Sequence, residues 1–348
     1  AGAGGALPAA SPLVLEFPCE GAGATVYVGC DGLPCPERPG NGGCRVWNYA
    51  SPEAAVAECI GLSRGMTAKH AAYNTGFAGA KLVVDASEAA GGADGLDKTA
   101  LMATVAGALE GLGGGVYTGC DLNTDDADMA ELSAQTPYVL AGLGSRVDTN
   151  VATGHGVFGA LQGAFAARGS GVRGKRFFVH GSGKVGSTVA RLLARAGGEV
   201  LTFDAVPAAA DVPGCRNVSS VGAEGWPALA AGCDVLVPCS ISGLLDEALV
   251  EALVARGTDG EGHPPSGDES CRRDRLSLIL GAANLPFSDE GALEALLACG
   301  GVDFVPESVS SAGAVLVDSI ECFDNEGYRS RHPEVIYAYV RHLTFQKT

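Results

Sequence analysis

The run Gly181-Ser182-Gly183-Lys184-Val185-Gly186 constrains this chain more than any other six residues. It follows the strand-like stretch Arg176–Val179 and opens a helix whose apolar positions include Val189, Leu192 and Leu193. Such a junction needs each glycine for a different reason. The first allows the tight turn, the second lets backbone approach a pyrophosphate, and the third lets helix pack against strand. The free N–H groups at the start of the helix then face the phosphates. The next strand, Glu199–Phe203, ends in Asp204. An acid there accepts hydrogen bonds from the adenosine ribose hydroxyls and repels a 2′-phosphate, so the pattern predicts NAD rather than NADP. A phosphate-binding P-loop is excluded, because Val185 and not Ser or Thr follows Gly183-Lys184. With 52 glycines in 348 residues an isolated G-x-G-x-x-G would carry little weight. Strand, glycines, helix and acid in register carry a good deal.

The rest of the second half keeps the same rhythm. Apolar strands at Asp234–Val237, Leu276–Leu280 and Val302–Val305 alternate with helices, as in a parallel sheet. A polar run from Gly257 to Arg275 interrupts the pattern and reads as a surface insertion. The first half also mixes strands and helices. Leu13–Phe17 and Thr25–Val28 read as strands, followed by a Pro/Gly loop from Gly32 to Gly43. Ser51-Pro52-Glu53 opens a helix with a capping serine and a proline at its first position. Its inward face is expected at Val56, Cys59, Ile60 and Ser63. A glycine-rich turn ending in Lys81 leads into the strand Leu82–Asp85. A helix from Asp97 to Leu112 stops at Gly113-Gly114-Gly115, and the strand Val116–Thr118 delivers Asp121 at its end. Thr124 is expected to cap the helix beginning Asp125-Asp126, where negative charge complements the helix dipole.

The bulk numbers narrow the class. A length of 348 residues suggests two domains, and 47% hydrophobic residues supply sizeable cores. A net charge of −17 argues against nucleic acid and against an anionic membrane surface, both of which require basic patches. No apolar run approaches the roughly 18–20 residues that span a bilayer. The 12 cysteines form no Cys-x-x-Cys pair and have no histidine at zinc-finger spacing, so no metal is expected. Cys19, Cys59, Cys120, Cys233, Cys239, Cys299 and Cys322 read as small buried hydrophobes in a reducing compartment, the cytoplasm first. A bridge between Cys30 and Cys35 is the alternative for that pair. The chain begins at Ala1, and a removed targeting segment would permit an organelle instead.

The chemistry gathers around two of only six lysines. Lys69 and Lys81 bracket one glycine-rich stretch, Arg64-Gly65-Met66-Thr67-Ala68-Lys69-His70 and Gly76-Phe77-Ala78-Gly79-Ala80-Lys81. Burial or a neighbouring cation shifts a lysine toward neutrality, whereas arginine stays charged. The plain alternative is a pair of surface lysines. A free amino acid presents a carboxylate, which wants a fixed cation, and an amine, which wants a carboxylate to receive its proton. Two lysines and one aspartate on a dinucleotide-binding scaffold therefore suffice for oxidative deamination, with one lysine lowering the other toward the working pH. His155 and His180 read as packing or hydrogen-bonding residues, Trp47 and Trp226 as core residues, and Glu307 and Glu321 as structural or solvated ones.

Further segments occur in a familiar order. They are Gly42-Gly43-Cys44-Arg45-Val46-Trp47, Arg64–Lys69, Gly79-Ala80-Lys81, Tyr117-Thr118-Gly119-Cys120-Asp121, Ala152-Thr153-Gly154-His155-Gly156-Val157, Asp234–Cys239, Gly281-Ala282-Ala283-Asn284 and Ser311-Ala312-Gly313. Together with the Gly181–Gly186 turn they resemble the amino-acid dehydrogenases of the leucine, phenylalanine and valine type, relatives of glutamate dehydrogenase. The resemblance spans roughly Val14 to Tyr328. It implies an α/β protein of two domains with a catalytic cleft between them. Residues 1–148 would form the substrate-binding and catalytic domain, rejoined by 319–348, and residues 149–318 the Rossmann-type NAD-binding domain. It implies NAD as cofactor, an amino acid or 2-oxo acid and ammonia as substrates, and a homo-oligomer.

The resemblance also distributes roles. Lys69 would bind the substrate carboxylate, Lys81 would act on the carbinolamine through a water, and Asp121 would exchange a proton with the amine. Gly42, Gly43 and Met66 would line the carboxylate and side-chain pocket. Thr153 and Asn284 would sit near the nicotinamide, with Asn284 also near substrate. Ser182, Lys184, Val185, Cys239 and Ala282 would join the three turn glycines and Asp204 around the cofactor. Departures mark this chain off. Ser311-Ala312-Gly313-Ala314 stands where the family has Asn-Ala-Gly-Gly, and Leu285 where it has a second asparagine. Asn41 and Asp318 stand where leucine-type members present apolar pocket residues, whereas Val315 stays apolar and Gly119 small. A roomier or more polar pocket is the expectation. The rivals are a dehydrogenase of aromatic or polar amino acids in biosynthesis and a catalytically weak NAD-binding or regulatory relative.

Overall fold

The computed structural model describes residues 12–255 and 276–348, in two compact units. The expected insertion at 257–275 lies outside the described residues.

The first unit runs to Ser145 and takes back Asp318–Arg329. Its elements are β1 (Leu13–Cys19), β2 (Ala24–Cys30), β3 (Gly40–Asn41), β4 (Cys44–Trp47), α1 (Pro52–Tyr73), β5 (Ala78–Asp85), α2 (Gly92–Gly95), α3 (Lys98–Gly111), β6 (Val116–Tyr117) and α4 (Asp126–Ser133). The sheet order is β1-β2-β5-β3-β6, with β4 also on β5. β1 and β2 form an antiparallel pair, β2 runs antiparallel to β5, and β3 and β4 run parallel to it. Both faces of β5 are buried. Val83 packs with Tyr27, Ala55, Cys59 and Leu62 under α1. Ala80, Leu82 and Val84 face the opposite way, among Leu101, Met102, Val105 and Leu109 of α3 and Met129 and Leu132 of α4. Side chains alternate along a strand, so Gly79, Lys81 and Val83 share the α1 face.

Arg146–Val317 and Ser330–Thr348 form the second unit. It begins with α5 (Thr149–Ala167), β7 (Arg176–His180), α6 (Lys184–Arg195), β8 (Glu199–Phe203), β9 (Arg216–Asn217), α7 (Gly222–Ala231), β10 (Val235–Pro238) and α8 (Glu247–Ala255). Then come β11 (Leu278–Ile279), α9 (Glu290–Ala298), β12 (Asp303–Phe304), α10 (Glu307–Ser310) and α11 (Gly313–Phe323), inside which the chain returns to the first unit. After α12 (Asn325–Ser330) the chain ends in α13 (Pro333–Lys347). The sheet order is β12-β11-β10-β7-β8-β9 and every pairing is parallel. Strand order reverses between β7 and β10, the position where doubly wound sheets bind ligands beyond their carboxyl ends. Val157, Leu161, Phe165, Val179, Val189, Leu193 and Val237 fill one side of the sheet; Phe178, Phe203, Trp226, Leu236, Ile279 and Leu296 fill the other.

Several local expectations change. Lys81 lies inside β5 rather than in a turn before it, and Asn41 lies in β3 rather than in a loop. The stretch Arg64–His70 is the end of α1, which continues to Tyr73 and stops at Asn74, left-handed at φ 49. Ser51 caps α1 as expected, its hydroxyl accepting from the Ala54 N–H at 3.3 Å. On that helix Cys59 and Ser63 are buried, but Val56 and Ile60 only partly, because Ala55 and Leu62 take the inward positions. Asp125, not Thr124, caps α4: its carboxylate accepts from both Ala127 N and Asp128 N, which a threonine one residue earlier cannot reach. Trp47 is 48% exposed at the end of β4, whereas Trp226 is buried. Cys30 and Cys35 are both free thiols, and Cys120 is exposed. Residues 330–348 do not rejoin the first unit. α13 lies on α5, where Gly159 and Gly163 admit the Arg341 and Phe345 carbonyls at a distance no Cβ would tolerate.

Candidate active site

In the first unit the charged residues meet across two glycines. β3 leads through Gly42-Gly43 into β4, and a Cβ on Gly42 would overlap the Ala80 carbonyl and crowd Lys81 Cα. A Cβ on Gly43 would strike the Cys120 carbonyl and Asp121 Cβ. These positions therefore admit no side chain without moving backbone. Their absence lets Lys81 Nζ donate directly to Asp121 Oδ2. Side-chain exposures of 7% for Lys81 and 18% for Asp121 show how far the pair is withdrawn from water.

The surroundings fix Asp121 further. The Leu122 N–H donates to Oδ1 at 2.7 Å, and Arg45 Nη2 lies 3.5 Å from the same oxygen. Arg45 is itself held by Glu58, Nη1 to Oε1 at 2.6 Å. Burial pushes the Asp121 carboxyl up, but the Lys81 ammonium and the Arg45 guanidinium outweigh it and hold the acid well below the usual carboxylate range. The Thr124 hydroxyl accepts from Asp121 N at 2.9 Å and donates to the Cys44 carbonyl at 2.8 Å. Thr118 donates to the Gly42 carbonyl at 2.9 Å. Arg45, Glu58 and Thr118 have no role assigned from sequence, and Thr124 only that of a helix cap; the contacts reveal their part here.

Lys69 is buried near the end of α1, with Met66 partly buried one turn earlier. A Cβ on Gly79 would overlap Thr67 N and Oγ1, so α1 and β5 touch backbone to backbone between the two lysines. His70 adds a second tie. Its Nε2 donates to the Asn41 carbonyl at 3.3 Å and its Nδ1 accepts from Thr75 at 2.7 Å. Burial pulls this histidine down to about 4, so the ring is neutral. The Asn41 side chain, 1% exposed, hydrogen-bonds Asp318. Gly119 is packed against the Leu140 carbonyl.

The second unit builds its candidate site from backbone. Gly181 turns the chain at φ +91, where a Cβ would run into Cys239 and Ser240 after β10. Gly186 lies against the Gly181 carbonyl and near Cys239 Cβ. Around Gly183 a Cβ would meet nothing within 4 Å. No side chain caps the N-terminus of α6, and Lys184 is exposed at its first position, followed by the partly buried Val185. The Ser182 hydroxyl is buried without a partner among the described residues. Asp204 accepts from Ser182 N at 2.8 Å and Val206 N at 2.9 Å, which fixes the carboxylate at the end of β8. Open space above Gly183, free helix N–H groups and an unpartnered hydroxyl fit a pyrophosphate.

Other predicted cofactor residues surround the same strand ends. Cys239 donates its N–H to the His180 carbonyl at 2.7 Å, and burial pushes its thiol up to about 12. Ala282 N donates to the Pro238 carbonyl at 2.8 Å, and Ser311 donates to the Ala282 carbonyl at 3.2 Å. Asn284 is partly buried just beyond. Thr153, buried on α5, donates to the Thr149 carbonyl at 2.8 Å and lies against Gly313. Val315 is buried in this unit. His180 bonds Ser240 at 2.7 Å, and His155 stacks on Tyr337, both packing roles as read from sequence.

Proteins of known activity are similar to this chain. A family model for glutamate/leucine/phenylalanine/valine dehydrogenase matches residues 144–209. A phenylalanine dehydrogenase of Caldalkalibacillus thermarum is 31% identical over 270 residues, 72% of this chain and 68% of that one. The chain belongs to the glutamate/leucine/phenylalanine/valine dehydrogenase family. A valine dehydrogenase of Streptomyces virginiae is 27% identical over 307 residues, 85% of this chain and 78% of that one. The L-tryptophan dehydrogenase of Nostoc punctiforme has the same fold, with a TM-score of 0.68 at 23% identity over 97% of this chain and 88% of that one. Family membership makes the chain an amino-acid dehydrogenase, an oxidoreductase that works with a nicotinamide cofactor. Among the described residues no helix is long and apolar enough to cross a membrane.

Proposed function

We propose that this chain catalyses the NAD-dependent, reversible oxidative deamination of an L-amino acid to the 2-oxo acid, ammonia and NADH. The Lys81–Asp121 pair, seated against Gly42-Gly43 in a family dehydrogenase, is the observation that carries the reading. The Gly181–Gly186 turn would hold NAD, which would supply the acceptor for the hydride leaving the substrate Cα. Lys69 holds the substrate carboxylate with a buried cation. Asp121, kept ionised by its two cationic neighbours, accepts N–H bonds from the substrate amine and passes its proton on rather than keeping it. Lys81, once its proton has gone to solvent, takes a proton from the water that attacks the imine carbon. The protonated lysine gives that proton to the departing nitrogen and, as ammonia leaves, takes up the carbinolamine hydroxyl proton, which completes the 2-oxo acid.

NAD in preference to NADP is supported by Asp204, whose fixed carboxylate would repel a 2′-phosphate. Gly181, Ser182, Gly183, Lys184, Val185 and Gly186 would hold the pyrophosphate, with Thr153, Cys239, Ala282 and Asn284 toward the nicotinamide. Gly42, Gly43, Met66, Asn41 and Asp318 would surround the substrate. A homo-oligomer belongs to the proposal on the resemblance alone.

The test supplies ammonia and a panel of 2-oxo acids and follows NADH and NADPH absorbance. Turnover with NADH well above that with NADPH is expected. Lys81→Ala should abolish turnover and leave NADH binding largely intact. NADH binding with no turnover on any 2-oxo acid would make the chain a catalytically inactive NAD-binding relative. Retained turnover in Lys81→Ala would remove that lysine from the chemistry.

A further inference from the structure

A second polar pair, Asn41 and Asp318, lies on the face of the sheet that carries Lys81. Asn41 is paired in register with Gly79, whose Cβ direction points to α1, so Asn41 and Lys81 occupy the same face of the sheet. From strand spacing and rise they stand roughly 8 Å apart, about the span from the reacting amine to the end of a medium-sized amino-acid side chain. The Asn41 backbone is pinned by His70, so its position is set by α1 and not by the pocket. Its amide bonds the partly buried Asp318 on α11, yet its Oδ1 is buried with no partner among the described residues.

A buried acceptor left without a donor is costly. No hydrogen bond among the described residues supplies one. The Asp318 and Glu321 carboxyls face one another, and Glu321 is occupied, both its oxygens lying 3.0–3.1 Å from Gly142 N. Burial first, and then Glu321, push Asp318 well above the usual range, so the neutral acid is favoured and a cationic side chain gains little from it. A pocket built for leucine or valine would place carbon here.

Resting on the deamination reading above, we infer that Asn41 and Asp318 select substrates whose neutral side chain donates a hydrogen bond. The class comprises hydroxyl, carboxamide, phenol and indole side chains. A site that hydrogen-bonds its substrate rejects the analogue lacking the donor, because its own polar groups are then stranded.

The test uses the full chain with NAD and near-isosteric pairs: threonine with valine, asparagine with leucine, tyrosine with phenylalanine. Comparing kcat/KM within a pair cancels most of the effect of size. The donor-bearing member of the best-used pair should lead by roughly 100-fold. Asn41→Leu should reduce or invert that ratio. Because Asn41→Leu could fail to fold, Asp318→Asn, close to isosteric, provides a second variant, and the ratio should shift in it too. Preference for valine and leucine, with turnover intact, overturns the inference and leaves the deamination reading standing. Preference for lysine or ornithine overturns it as well, in favour of an ionised Asp318 as counter-ion. No turnover on any amino acid, with NADH still bound, sinks the deamination reading and the inference with it.

Discussion

The two units handle charge in opposite ways. Around β5 the first unit places formal side-chain charges in contact, Lys81, Asp121, Arg45 and Glu58, with Gly42 and Gly43 putting no side chain in the way. After β7 the second unit offers partial charges from backbone N–H groups, with glycine leaving space above them. The first arrangement suits proton transfer, because a lysine and a carboxylate in contact can exchange a proton while Arg45 keeps its charge. The second suits a permanently charged pyrophosphate, because backbone dipoles do not titrate. Glycine serves both, but as a contact at Gly42 and as an opening at Gly183.

That distinction gives the largest expected effect. Gly42→Ala would force its methyl into the Ala80 carbonyl, and overpacking of this kind costs about 1–3 kcal/mol. Its Tm should fall by several degrees, and turnover should drop with it because Lys81 moves. Gly183→Ala meets no protein atom, so Tm should hold while NADH affinity falls by about tenfold or more, as the methyl occupies pyrophosphate space. Thermal melts and NADH fluorescence titrations on both variants check this. Equal loss of Tm in the two would erase the contrast.

Within the first unit a smaller contrast separates two acids. Asp121 is held low by cations, and Asp318 is pushed high by burial and by Glu321. Their pH signs are therefore opposite. A lowered acid contributes stability that is present above the unfolded value of about 3.9 and is lost as pH falls through the folded one. A raised acid contributes stability below about 3.9 that is lost as pH rises through its folded value. Asp121→Asn leaves the buried Lys81 ammonium without its counter-charge, Arg45 keeping Glu58, and should lower stability near neutral pH, the gap closing toward acid. Asp318→Asn should stabilise, the gain opening as pH rises. Tm measured from acid to neutral pH decides the matter, and parallel curves for the two variants would refute the assignment.

The difference between the regions also explains what the sequence made legible. The glycine turn is local: six contiguous residues between a strand and a helix contain nearly all of its geometry. Asp204 belongs to it because the next strand in the chain is also the neighbouring strand in space. The Lys81–Asp121 pair spans 40 residues and rests on β3 slotting between β5 and β6, which no local pattern displays. The resemblance supplied both residues; their direct contact and Arg45 came only with the structure. Asn41 looked like loop because its two-residue strand is too short for period-2 alternation to register. Thr124 looked like a cap because the acid after it fits that role equally well.

The smallest effect concerns a residue of the second unit that breaks the rule its glycines keep. Leu285 sits left-handed at φ 45, held by its carbonyl accepting from Gly243 N at 2.8 Å and its N–H donating to Glu307 at 3.2 Å. The side chain is 39% exposed, so little burial offsets the conformation. A left-handed L-residue costs about 1–2 kcal/mol, and asparagine tolerates the region better. Leu285→Asn should therefore raise Tm by about 1–3 °C, without disturbing the two backbone hydrogen bonds. An unchanged or lower Tm would mean that the leucine side chain itself stabilises the turn.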